Sequence, residues 1–185
     1  MNAGVQKMLR RVNNRDGFTL IEMLIVIIIL GILAMVIIPQ ISVSTDDAKV
    51  STLKTNLGGI RSAIEMYYAQ HNQTYPGVNA AGGTYGDAGS VLAFTNQLIL
   101  FTNAAGTVSP TYHATNFPFG PYIKGGSLPQ NPFKDNVVTI DTVSPTSITD
   151  RTPFTTVSGW TYRPAIGILF ANDGGSSGGT AHATY

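Results

Sequence analysis

Glu22 is the residue in this chain most plainly placed to do chemistry. It stands at the head of an apolar run, residues 23–38, in which nothing is charged or strongly polar. An ionisable group in such a run is costly and is functional by default. The chemistry open to it is charge pairing. Elsewhere the reactive residue types are scattered. His71, His113 and His182 have no ligand-like spacing and read as surface or loop histidines. Ser176-Ser177 lies in a Gly-rich tail without a nucleophile elbow. No phosphate-binding Gly loop follows a strand, and Gly82-Gly83 and Gly174-Gly175 read as turns. There is no cysteine, which removes disulfides and Cys-based metal sites. The chain reads as a non-enzyme.

A helix must position Glu22. At ~1.5 Å per residue, residues 18–38 rise roughly 30 Å, enough to cross a hydrocarbon core. In lipid only a helix satisfies the backbone of such a segment. Pro39 closes the run and would kink a helix that continued. Lys7, Arg10, Arg11 and Arg15 precede it against a single acid, Asp16. That asymmetry places the N-terminus in the cytoplasm and the rest outside. An ordinary signal peptide is one reading, with Ser42-Val43-Ser44 as its cleavage site, but its apolar region should span only ~7–15 residues. A plain signal anchor is another. It accounts for the length and the basic flank, but not for Glu22 or the Gly17-Phe18 junction.

Gly17-Phe18-Thr19-Leu20-Ile21-Glu22, followed by the apolar helix and Pro39, resembles the class III signal of type IV pilins and type II secretion pseudopilins. The resemblance is specific over residues 17–39 and looser to about Tyr68. It implies cleavage between Gly17 and Phe18 by a membrane aspartic peptidase, then methylation of the new Phe18 amine. It implies assembly roles for Phe18, Glu22 and Pro39. Glu22 of an incoming subunit would meet the Phe18 amine of a docked one. A pair within one helix, i to i+4, is the alternative.

The composition agrees with one exported domain and an anchor. The chain holds 11 basic and 10 acidic side chains. Without residues 1–17 the balance is seven to nine, so the basicity belongs to the leader and no nucleic acid partner is expected. After Pro39 the pattern turns amphipathic. Val50, Leu53, Leu57, Ile60, Ile64 and Tyr67 recur at helical steps, with Lys49, Lys54, Arg61 and Glu65 opposite. The next sheet should cover part of this stripe and neighbouring copies the rest. Gly58-Gly59 would let another backbone approach. As one helix, residues 18–71 would be roughly 80 Å long, a length that suits subunits bundled in a polymer. Asn72 and Tyr75-Pro76-Gly77 stop it.

Further on, Ser90 can cap a short helix through Phe101, and residues 107–121 read as loop. Residues 137–141, 159–163 and 168–172 read as strands, the last two joined by a hairpin connection. The Gly/Ser-rich tail, residues 173–185, should be loose unless tied down. Gly120-Pro121-Tyr122-Ile123-Lys124, Leu128-Pro129-Gln130-Asn131-Pro132-Phe133, Gly159-Trp160-Thr161-Tyr162 and Ala171-Asn172-Asp173-Gly174-Gly175 are similar to the major pseudopilin of type II secretion. The plain reading, a rigid loop and a core aromatic at Trp160, is compatible with that.

The expected fold is therefore α+β and pilin-like, a long N-terminal spine helix packed on a small antiparallel β-sheet. Residues 1–17 would be a cleaved leader, 18–38 the transmembrane half of the spine and 39–71 its amphipathic half. Residues 72–185 would be a periplasmic globular region. The family implies a C-terminal loop stabilised by calcium, for which Asp173 is the one matching acidic residue. Asp135, Asp141 and Asp150 are further oxygens that could fold nearby, a thin supply for an ion that takes six to eight. No other cofactor is expected. The resemblance implies a homopolymer formed through the spine helix, a prepilin peptidase and methylase, an inner-membrane platform with an ATPase, minor pseudopilins, and membrane lipid before assembly. The implied function is a structural one: an inner-membrane subunit that enters a filament driving protein export. A surface pilus for adhesion, motility or DNA uptake is the alternative, and a membrane-anchored binding module is a third reading.

Overall fold

The computed structural model describes residues 17–142 and 157–185, with the backbone alone for residues 36–44. Residues 1–16 of the expected leader, and Asp150, lie outside the described residues, as do the side chains of Pro39 and of Ser42-Val43-Ser44. The chain divides into two compact units, Met1–Ser44 and Thr45–Tyr185.

In the first unit the described structure is the start of helix α1 (Leu20–Gln70), which includes Pro39. Its large apolar residues point in every direction and none is covered. Exposure runs from 42% at Leu24 to 84% at Leu20. A helix that is apolar all round belongs in lipid or in a bundle. Among the described residues no helix is long and apolar enough to cross a membrane. The expected span ends at residue 38, beyond the side chains that are described.

The second unit is built on the remainder of α1. Leu53, Leu57, Ile60, Ile64 and Tyr67 are each at most 1% exposed. They are covered by Phe94 and Leu98 of helix α2 (Val91–Ile99) and by Trp160, Tyr162 and Leu169 of the sheet. The chain thus covers its own stripe from Leu53 to Tyr67, leaving Val50 half-buried, and the expected share for neighbouring copies disappears from the covered part. Burying each large apolar side chain here stabilises the fold by ~1.5–3 kcal/mol. Around Gly58 and Gly59 there is open space, with no backbone nearby. Helix α1 stops where Asn72 and Gln73 take φ values of 50° and 58°, and the Gln73 amide donates to the Tyr68 carbonyl. That is the left-handed ending that satisfies the last carbonyls. Helix α2 starts as the sequence implies, with the Ala93 amide donating to Ser90 Oγ at 3.1 Å. It ends two residues early, because Phe101 opens the two-residue strand β1 (Phe101–Thr102), which pairs with β2 (Val108–Ser109) inside the expected loop.

The main sheet has the order β3 (Val138–Ile140), β4 (Trp160–Arg163), β5 (Ile168–Ala171). Strands β4 and β5 form the expected hairpin, with Trp160 opposite Ala171 and Arg163 opposite Ile168. Gly167 sits in its turn at φ +69°, and a Cβ there would strike the Tyr75 ring. One pairing departs from an antiparallel sheet: β3 and β4 are parallel. A parallel neighbour needs a crossover connection of a dozen residues or more, and the chain between Ile140 and Trp160 is long enough to supply one. All four residues of β4 are buried. Arg163 is accommodated by its Nε donating to Asp141 Oδ2 at 2.6 Å, with the guanidinium 5.3 Å from the centre of the Phe170 ring. The tail is ordered. It forms a third small sheet, β6 (Ser176–Ser177) with β7 (Thr180–Ala181), followed by a 3₁₀ turn at His182–Thr184.

Candidate functional site

Two regions hold the residues singled out by sequence. At the start of α1, Gly17 has nothing within 4 Å of where a Cβ would sit, and Phe18 is 79% exposed. Thr19 and Glu22 hold each other. The Thr19 amide and hydroxyl both donate to Glu22 Oε2 at 2.7 Å, and the Glu22 amide donates to Thr19 Oγ1 at 3.3 Å. This is a reciprocal capping box, the S/T-x-x-E pattern that satisfies orphan amides at a helix start. It gives Glu22 a local role that the sequence pattern carries in plain view. An acid here also favours the helix dipole.

The second region joins the proline-rich loop to the tail. Asn131 is fully buried between its two prolines. Its Nδ2 donates to the Gly159 carbonyl at 2.7 Å and to Asp173 Oδ2 at 3.0 Å, while its Oδ1 accepts from the Phe133 amide. Neighbouring bonds fix the rest of the loop. Trp160 Nε1 donates to the Pro129 carbonyl, and Asn56 Nδ2 of α1 donates to the Gln130 carbonyl. The loop is therefore rigid because three elements hold it.

Asp173 meets His182 at its other oxygen. Nδ1 of His182 lies 2.8 Å from Asp173 Oδ1, which also accepts from the Gly175 amide at 2.8 Å. Nε2 of the same ring lies 2.9 Å from Ser177 Oγ. A carboxylate can only accept, so Nδ1 carries a proton. Both side chains of the Asp173–His182 pair are 2% exposed. Ser177, His182 and Asp173 thus share the bonding order of a hydrolase triad. Ser177, however, ends a two-residue strand before the Gly178-Gly179 turn, not a strand-to-helix elbow. Two clefts among the described residues lie elsewhere. One, of about 340 Å³, lies by Val91, Leu128 and Val138. The other, of about 240 Å³, is lined by Arg61 and Leu169.

These residues do not fit calcium. Ca²⁺ takes six to eight oxygens, whereas both oxygens of Asp173 face N–H donors. Asp141 is committed to Arg163. Among the described residues no group of three or more His, Cys, Asp or Glu could hold a metal ion.

Several functional or structural polar residues escape a reading by spacing. His71 and His182 are buried, each 2% exposed, and only His113 is the surface histidine expected. The His71 ring stacks on Tyr67 at 3.6 Å, its Nδ1 facing the Tyr67 carbonyl and its Nε2 facing Thr102 Oγ1. Burial pushes its pKa below the usual histidine value. Burial, helped by the nearby Tyr122, likewise pushes the Tyr67 hydroxyl upward. Gln97 is fully buried and ties three loop positions together.

Comparison with known proteins follows the same division. Residues 12–38 match the model of the prokaryotic N-terminal methylation motif. The type II secretion system core protein G of Pseudomonas aeruginosa is 44% identical over 62 residues, 34% of this chain and 43% of that protein. A fimbrial protein of Neisseria meningitidis serogroup B is 45% identical over 69 residues, 37% of this chain and 40% of its own length. The chain thus spans under half the length of both of these relatives. No solved structure matches. The similarity also reaches into the globular unit: the type II secretion system core protein G of Klebsiella pneumoniae is 31% identical over 117 residues, 63% of this chain and 68% of that protein. With the methylation motif running through the uncovered apolar start of α1, and a helix-on-sheet unit following in the chain, the chain belongs to the family of the type II secretion system core protein G.

Proposed function

We propose that this chain is the major structural subunit of a periplasmic filament that drives protein export through a type II secretion system. The observation that carries this reading is the start of α1: a helix apolar on every side, uncovered by its own chain, with one carboxylate near its beginning. Such a surface is satisfied in two environments only, lipid and a bundle of like helices. The subunit moves from the first to the second. Residues 1–17 are removed at Gly17-Phe18 and the Phe18 amine is methylated. Before assembly the chain is held in the inner membrane, its N-terminus cytoplasmic and residues 72–185 periplasmic. Homopolymerisation then runs through the spine helix, powered by an ATPase at an inner-membrane platform, with minor pseudopilins as further partners. The chemistry is done to the chain and not by it.

The test is a strain lacking this chain. Loss of exported proteins from the medium, with surface pili unchanged, is the expected outcome, and mass measurement of the mature protein should show an N-terminal methylated Phe18. A second reading, a long surface pilus, is favoured by the likeness to a fimbrial protein over the helix. Loss of surface fibres with normal export would establish that reading and overturn the first.

A further inference from the structure

The family implies a calcium-stabilised C-terminal loop, and this chain has the loop with the wrong donors for the ion. We propose that a metal-free clasp of Asp173, His182 and Asn131 closes the C-terminal hairpin onto the 128–133 loop and does the work that a divalent cation would do there. The inference goes beyond the filament reading and does not depend on which filament the chain forms.

Three N–H groups converge on one buried carboxylate: Gly175 N and His182 Nδ1 on Oδ1, both at 2.8 Å, and Asn131 Nδ2 on Oδ2 at 3.0 Å. Each presents the positive end of its dipole, so together they supply what a cation would supply. A cation seated against Oδ1 would have to displace the imidazole or the Gly175 amide, and one seated against Oδ2 would meet the Asn131 amide. Hydrogen bonds to an ionised group are the stronger class, and burial strengthens them further. The imidazole is held on its other sides as well. Ser177 Oγ lies 2.9 Å from Nε2, the Phe133 ring packs with its centroid 4.1 Å away, and the His182 amide donates to the Gly175 carbonyl at 3.0 Å.

The fit is tight at Gly175. A Cβ there would lie 2.9 Å from Asp173 Oδ1 and 2.9 Å from His182 Nδ1. A side chain at this position would therefore push the Asp173–His182 pair out of place. The clasp also joins distant parts of the unit. Asn131 bridges Asp173 to the Gly159 carbonyl before β4, and beyond His182 the Tyr185 ring receives the ammonium of Lys54 on α1 at 4.2 Å. One buried pair therefore ties the last residues to the loop and leads them to the helix.

The experiment uses the full chain in detergent, with calcium chloride or EGTA as the only variable. The expected result has four parts. The thermal midpoint is the same in millimolar calcium and in EGTA. Protease cleavage within residues 173–185 is slow in both. His182→Ala and Gly175→Ala each speed that cleavage on the order of tenfold or more in both buffers, since tail opening is then no longer held by the charged hydrogen bond. In the unmodified protein, an imidazole N–H signal from His182 exchanges slowly with water in EGTA. That last measurement needs no variant and decides the matter if the variants do not fold. A midpoint raised by calcium, a tail released by EGTA, unchanged cleavage in the variants, or rapid exchange at His182 would each overturn the clasp.

Discussion

One side chain, Gln97, holds three loop positions that no secondary structure connects. Its Oε1 accepts from the Gly77 amide at 2.6 Å, and its Nε2 donates to the carbonyls of Asn79 at 3.1 Å and Gly106 at 2.8 Å. Gln97→Leu would fill the same space, leave the buried Gly77 amide and Gly106 carbonyl without this partner, and break the part-buried bond to Asn79. At ~1–3 kcal/mol for an unsatisfied buried group, the loss should be a few kcal/mol in total. Urea unfolding should show a lower midpoint with an unchanged slope. His71 makes a second prediction at this scale. Its folded pKa lies below the ordinary value of about 6.5 because burial disfavours the imidazolium. The unfolded chain therefore takes up this proton first as pH falls. The stability contributed by neutral His71 is complete above pH ~6.5 and is lost as pH drops from there toward the folded value. His71→Phe keeps a stacked ring and removes the titration, so its stability should fall less steeply below pH ~6.5. Equal slopes for the two proteins would show that His71 does not set this dependence.

At the scale of elements, the second half of α1 is the organising surface, and its role differs from the one its pattern suggests. The stripe from Leu53 to Tyr67 is readable because a 3.6-residue period encodes burial directly. What buries it is not encoded there. The chain's own α2 and sheet cover it completely, so Leu57 is a core residue and not a contact between subunits. Leu57→Ala should then cost ~2–5 kcal/mol in unfolding of the unit itself. Leu57→Asp should prevent that unit from folding, because an unpaired charge would be buried. Circular dichroism of the solubilised chain reads both before any filament is needed. A folded Leu57→Asp subunit that merely fails to assemble would restore the stripe to the interface. Strands β4 and β5 and the Ser90 cap were equally legible, since propensity, turn residues and capping are local. The direction of β3 was not, because a parallel or antiparallel pairing depends on the path of the connection and not on the strand. The clasp was hidden for a similar reason. Asn131, Asp173 and His182 come from a loop, a turn and the last residues, and no fixed spacing links them.

For the whole molecule the decisive question is what Glu22 does in the proposed filament. The capping box with Thr19 offers a purely local answer, in which Glu22 starts the helix well and nothing more. The pairing answer is that its carboxylate meets the Phe18 amine of a neighbouring subunit, setting the axial register that an apolar seam alone would leave free to slide. Two poorly solvated charges then remove each other's desolvation cost. The two roles differ in what they need from the side chain. A cap needs a hydrogen-bond acceptor, and glutamine serves at that position. A charge pair needs the negative charge. Neutralising the residue also removes an insertion cost, one that reaches ~2.5–3.5 kcal/mol for a charge at a helix centre and is smaller at a helix start, so entry into the membrane should not suffer. We therefore expect Glu22→Gln and Glu22→Ala both to insert, to be cut after Gly17, and to fail to assemble when expressed alone. Thr19→Ala, which breaks the cap and keeps the charge, should still assemble, and co-expressed wild-type chain should partly rescue the Glu22 variants because each lacks only its own half of one contact. Cross-linking of membranes and sheared filaments, after cleavage is confirmed by mass, measures all three. If Glu22→Gln forms filaments as the wild type does while Thr19→Ala does not, the residue is a helix cap and the register must be set elsewhere.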